Sequence, residues 1–84
     1  EVSRSQGSFT AIARFVREIK TAGPSITVIR TSTGSAGSVA VAIDRANWPE
    51  IVGSIQGDDT IFIATQDGEA QQRLIDHLHS VFRI

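Results

Sequence analysis

Cysteine, methionine and tyrosine are absent from these 84 residues. Without cysteine there is no disulfide, no zinc–thiolate cluster and no thiol nucleophile. No apolar run approaches the ~18 residues of a membrane span, and the first residues are too polar for a signal peptide, so a cytoplasmic location is expected. An excess of positive charge is missing too: eight Lys and Arg stand against nine Asp and Glu, a formal net charge of −1. A free-standing nucleic-acid binder is normally far more basic, so this chain alone is not expected to hold DNA or RNA. His77 and His79 are two apart on an expected helix and diverge rather than converge on a metal. Ser, His and Asp all occur, yet no stretch prepares a Ser as an activated nucleophile. No enzyme, catalytic residue, metal site or cofactor is expected.

What is present reads as one small domain. Residues 1–10 are polar and without periodicity, as in the remnant of a flexible linker; residues 11–84 carry the domain. From Phe9 to Lys20, Phe15, Val16 and Ile19 mark a first strand, although Ala11 to Ile19 also fits helical spacing. Thr21-Ala22-Gly23-Pro24-Ser25 is a turn. Ile26 to Thr31 is a second strand, rich in β-branched residues. Ser32-Thr33-Gly34-Ser35 offers hydroxyl caps to a helix over about 35–47, with Ala36, Val39, Ala40, Ile43 and Ala46 at helical spacing. Pro49 ends that helix, and Trp48 is expected to pack at its base. Two further strands follow. A last helix is capped by Asp67, and its stripe is Ala70, Leu74, Leu78 and Val81, widened by Ile75 and Phe82. The order ββαββα implies a two-layer α/β unit: a four-stranded, mainly antiparallel sheet with both helices on one face. Ile61 and Ile63 point one way along the fourth strand, Phe62 and Ala64 the other. Helices on one side cannot cover both, so a neighbouring copy of the chain is expected on the open face.

Between the last two strands sits Gly57-Asp58-Asp59. Adjacent carboxylates at ~6 Å repel by about 3 kcal/mol at an effective dielectric near 20, and by 1 or less in free water. A turn needing only geometry avoids that cost with Asn-Gly or Asp-Gly. A hard-metal site would want more clustered oxygen ligands than two. Neighbours on a turn also do not oppose each other as an acid/base pair does. A guanidinium, planar and permanently charged, matches carboxylates better. Ser54 and Gln56 share one strand face close by. The Gly/Ser-rich stretch 31–38 leads into a helix N-terminus, which suits an anion, but it lacks the P-loop lysine, so a small carboxylate fits better than a nucleotide. Asp44, late on the first helix, can also be read as plain surface charge.

The run Glu50 to Phe62, containing Gly53-Ser54-Ile55-Gln56-Gly57-Asp58-Asp59-Thr60-Ile61, resembles the signature of the C-terminal domain of bacterial arginine repressors. The turn Thr31 to Ala36 and the helix end Ala42-Ile43-Asp44-Arg45-Ala46 are also similar, and the resemblance spans residues 12 to 84. It implies a DCoH-like α/β unit that trimerises, with two trimers stacked as a hexamer. L-Arginine would bind between trimers as corepressor, and operator DNA would be contacted only by a separate N-terminal winged helix-turn-helix. Carried over by position, Asp58 takes the guanidinium from the opposing trimer and Asp59 binds the amino end or completes the pocket. Ser54 keeps a family hydroxyl, and Asp44 matches an acidic position near the ligand. Gly37 stands where the family has Gln, and Gln56 where it has a small Ala, so Gln56 either returns an amide to the pocket or crowds it. The alternatives are a purely structural oligomerisation module and a sensor of a different small amino acid.

Overall fold

The computed structural model describes residues 9–84. Its elements are a 3-10 turn Ala13–Phe15, β1 Val16–Ala22, β2 Ile26–Thr31, α1 Ala36–Ala46, β3 Ile51–Gln56, β4 Thr60–Thr65 and α2 Gly68–Phe82. The strands form one sheet in the order β1-β2-β4-β3, and every neighbouring pair is antiparallel. The ββαββα order and the two-layer α/β class are those the sequence implies.

The first strand starts later than its apolar spacing suggests. Residues 9–12 are helical, the 3-10 turn follows, and only from Val16 does the chain extend. Phe9 decides this. It is buried, stacked on Trp48 with ring centroids 5.4 Å apart and set edge-on to Phe82 at 5.4 Å. Delivering Phe9 to that site takes a compact backbone, and the resulting ring contacts add to its burial. Of the expected linker 1–10, residues 1–8 lie outside the described residues.

One sheet face and both helices build the core. Ile29, Ile61 and Ile63 meet Val39 and Ile43 of α1 and Leu74 and Leu78 of α2, all essentially inaccessible. Each such side chain contributes about 1.5–3 kcal/mol on leaving water. Asp67 caps α2 by accepting the Ala70 N–H at 2.9 Å, and Asn47 ends α1 in the left-handed conformation that Asn tolerates. The hydroxyls before α1 do not cap it. Ser32 donates to the Ser35 hydroxyl at 2.9 Å, and the first helical N–H, of Ala36, goes instead to the backbone carbonyl of Asp58 at 3.2 Å. Gln71, buried on the apolar side of α2, donates to the carbonyls of both Gly23 (2.9 Å) and Ile26 (3.0 Å), fastening the β1–β2 turn to the helix.

Among the described residues, no helix lies on the opposite sheet face. Phe62 sits there between its cross-strand partners Val28 and Ile55, with Ala64 between Ile26 and Gly53. Phe62 is 49% exposed, Ile55 72% and Val52 71%. Together with Ile26 and Ala64 these residues line an open groove of about 320 Å³. The double-sided apolar character of β4 is thus real, and the described residues cover only one side of it.

Candidate ligand-binding site

The turn linking β3 to β4 is closed by the Gly57 N–H donating to the Thr60 carbonyl at 2.9 Å. It is then strapped to the loop between β2 and α1. The Asp59 carbonyl accepts from Thr31 N–H at 2.8 Å, and the Asp58 carbonyl takes the Ala36 N–H described above. Gly34 adopts φ +81, a left-handed conformation suited to glycine, and its N–H donates to Asp58 Oδ2 at 3.1 Å. Two loops far apart in sequence therefore form one rigid rim.

That rim also answers the repulsion between the neighbouring acids. Their carboxylates turn to different partners. Asp58 faces the loop before α1, where one oxygen takes the Gly34 N–H and the other has no hydrogen-bond partner among the described residues. Asp59 leans towards β2: its Oδ2 lies 3.5 Å from Arg30 Nη2, and its Oδ1 accepts from the Thr60 hydroxyl at 3.0 Å. A permanent cation and a backbone donor stand on either side of the turn, which lowers the mutual cost of two charges. Asp58 is the more available of the pair, exposed and with an unfilled oxygen.

Asp44 and Ser54 form a second cluster. The Ser54 hydroxyl donates to Asp44 Oδ1 at 3.0 Å, joining the last turn of α1 to β3. A carboxylate near a helix C-terminus meets the negative end of the helix dipole, so this position favours a cation beside it. Asp44 also edges a cleft of about 380 Å³ with Asn47, Trp48 and Gly53, a cleft that contains neither Asp58 nor Asp59. Because Asp58 is fixed at the start of α1 and Asp44 lies eight residues into it, helical rise alone separates the two ends by roughly 12 Å.

Gln56 and Gly37 lie between these anchors. Gln56 pairs across the sheet with Ile61 and Ser54 with Ile63, so both share the helix-facing side of β3. Gln56 is exposed and its side chain makes no hydrogen bond among the described residues. A Cβ at Gly37 would meet nothing within 4 Å. This glycine is therefore not required for close packing within the chain, and open space remains above the first turn of α1.

Comparison with known proteins bears on what such a rim is for. Residues 12–80 match the family model "Arginine repressor, C-terminal domain". The chain belongs to the arginine repressor C-terminal domain family. It is 45% identical over 56 residues to the arginine repressor of Caldicellulosiruptor saccharolyticus, covering 67% of the chain and 37% of that protein. It is 43% identical over 67 residues to that of Thermotoga petrophila, covering 80% and 43%. To the arginine repressor of Heliobacterium modesticaldum it is 53% identical over 51 residues, covering 61% and 34%. These matches reach less than half the length of each relative. Within the chain, the family match takes in β1 to β4 and most of α2, and so Asp44, Ser54, Asp58 and Asp59.

Several features of this family member are not legible in its motifs. Arg30 meets Asp59 from 29 residues away. The Glu50 side chain is 3% exposed, with Oε2 2.9 Å from His77 Nε2 but without hydrogen-bond alignment, while the His77 ring stacks on Trp48 at 4.7 Å. Glu50 thus serves to join β3 to α2, and His77 serves packing. The available signal was Trp48-Pro49-Glu50 beside an apolar strand, which marks a place where a charge would be buried. Among the described residues no helix is long and apolar enough to cross a membrane. No group of three or more potential metal ligands occurs among them either.

Proposed function

We propose that this chain is the L-arginine-binding and oligomerisation part of an arginine-responsive transcriptional repressor of arginine metabolism, without catalytic activity. The observation that carries the reading is the Asp58 carboxylate. It is pinned through one oxygen by the Gly34 N–H and open at the other, on an exposed rim within the family-matched stretch. A guanidinium brought by a ligand would complete it with charge-assisted bonds. Asp59 would bind the amino end or complete the pocket, with the Asp44–Ser54 pair at its far side and the space above Gly37 and the unpartnered Gln56 amide left for the ligand carboxylate.

Assembly is the second part of the reading. The uncovered face around Phe62, Ile55 and Val52 suits a second copy of the chain, giving a trimer, and arginine would bridge two trimers into a hexamer. Ligand that binds only the larger assembly favours it by mass action, and the coupling is reciprocal. Operator DNA would be held by a winged helix-turn-helix outside these residues, in the cytoplasm. The chain needs no cofactor or metal on this view; arginine acts as corepressor.

Thermal-shift measurements with L-arginine, other amino acids, Mg²⁺, Mn²⁺ and chelator rank the readings. Stabilisation by arginine above its relatives supports the proposal. Preference for another amino acid indicates a different sensor, and response to none indicates a structural module. Stabilisation by metal that chelator reverses indicates a metal-dependent function.

A further inference from the structure

Both polar ends of the proposed site are fixed to α1, and the outer face of that helix runs between them. At its start the Ala36 N–H donates to the Asp58 carbonyl, and the Gly34 N–H holds the Asp58 carboxylate. In its last turn Asp44 accepts the Ser54 hydroxyl through Oδ1. Between these anchors stand Gly37 and Val41. Val41 follows Gly37 by four residues and precedes Asp44 by three, the spacings that make side chains neighbours on a helix. Val39, Ala40, Ala42 and Ile43 around it are buried, whereas Val41 is 48% exposed. A lone apolar residue on a surface needs no explanation. The place of this one does, because it is an apolar surface set between two acidic ends. Helical side chains lean towards the N-terminus, so Val41 overhangs the turn at Gly37, where a Cβ would meet nothing within 4 Å.

L-Arginine carries its features in the same order: a guanidinium, an aliphatic stem and a charged amino-acid end. Its Cα and guanidinium carbon are about 6 Å apart when the stem is extended. A hydrogen bond of about 3 Å at each end brings the span to about 12 Å, the separation that helical rise gives the two ends of α1. Val41 stands about 7–8 Å along that span, counted from Ala36.

We propose that Val41 is a specificity-determining residue of this site: the aliphatic stem of the ligand lies across it, and the contact selects ligands with an unbroken stem between their charged ends. This rests on the arginine-binding reading and adds to it what holds the middle of the ligand. The carboxylates alone accept any compact cation at either end. With an apolar surface between them, only a ligand that covers that surface while reaching both ends gains all three contacts. Gly37 keeps the approach to Val41 open.

Isothermal titration calorimetry with L-arginine on the wild type, Val41→Ala, Val41→Thr and Val41→Ile tests this, at several temperatures so that the heat-capacity change is read as well. Each CH₂ withdrawn from water corresponds to about a four-fold change in affinity. Val41→Ala removes two such groups from a side chain that is half covered already, so binding weakens about four-fold. The heat-capacity change of binding becomes less negative, because less apolar surface is buried. Val41→Thr weakens binding at least as much, and Val41→Ile retains it. Alanine is the better helix former, so weaker binding by Val41→Ala cannot come from a frayed α1. Wild-type affinity in both Val41→Ala and Val41→Thr would overturn the proposal, as would weaker binding with an unchanged heat-capacity change. Sedimentation without ligand adds a further check: a shift in assembly in Val41→Ala would make Val41 a contact between copies and overturn its role toward the ligand. A wild type that binds no arginine rejects the arginine reading and this inference together, whereas every other failure leaves that reading standing.

Discussion

Replacing Ile55 by Thr separates what β3 does for the fold from what its face does for assembly. Ile55 is 72% exposed, so the folded chain alone gives it little burial. Thr keeps the β-branch that suits a strand and exchanges an ethyl group for a hydroxyl. Two buried CH₂-sized groups amount to about 1.6 kcal/mol. About a quarter of that, some 0.4 kcal/mol, is felt within one chain, and roughly 1.2 kcal/mol is available only on association. Placing an unpaired hydroxyl in the interface adds about 1 kcal/mol or more. Each copy therefore loses roughly 2 kcal/mol of association free energy, close to a thirty-fold change per contact, while the melting temperature at low protein concentration barely moves. Sedimentation velocity across a hundred-fold concentration range reads the outcome: the variant should shift to monomer where the wild type remains assembled. If both sediment alike at every concentration, the open face of the sheet is not what joins the copies.

Other residues give sharper structural tests. Asp67→Ala removes the acceptor for the Ala70 N–H and should cost about 1 kcal/mol, lowering the melting temperature by roughly 4–8 °C, whereas Asp67→Asn keeps most of the cap. Gln71→Ala leaves the Gly23 and Ile26 carbonyls without their buried donor; about 1–3 kcal/mol of destabilisation should follow, with faster amide exchange confined to the β1–β2 turn and the first turns of α2. Gly34→Ala forces a side chain into φ +81 and should cost about 1 kcal/mol while loosening the hold on Asp58, seen as weaker arginine binding with a modest loss of stability.

The parts of this fold that could be read from the chain are those decided locally. β2 announces itself by Ile, Val and Thr, α2 by its stripe and Asp67, and the β3–β4 hairpin by apolar flanks around Gly57-Asp58-Asp59. The beginning of the domain was ambiguous because Ala11 to Ile19 fits helical spacing as well as Phe15, Val16 and Ile19 suggest a strand. What settles it is Phe9 fitting between Trp48 and Phe82, residues distant in sequence. The acidic pair was legible as a place for a cation. Its internal division was not, since the Gly34 N–H and the Arg30 guanidinium reach the turn only after the sheet has formed. Gln71 could have been noticed: it shares the 71-74-78 spacing of the buried stripe, a polar residue where the helix should be apolar.

The central claim is that Asp58 receives a guanidinium. Isothermal titration calorimetry of the wild type and Asp58→Asn against L-arginine tests it most directly, because Asn retains an oxygen for the Gly34 N–H and removes only the charge. Charge-assisted bonds carry about 1.5–3 kcal/mol each, so the account predicts saturable binding by the wild type and at least a ten-fold loss in the variant at nearly unchanged melting temperature. Equal binding by both proteins would contradict it.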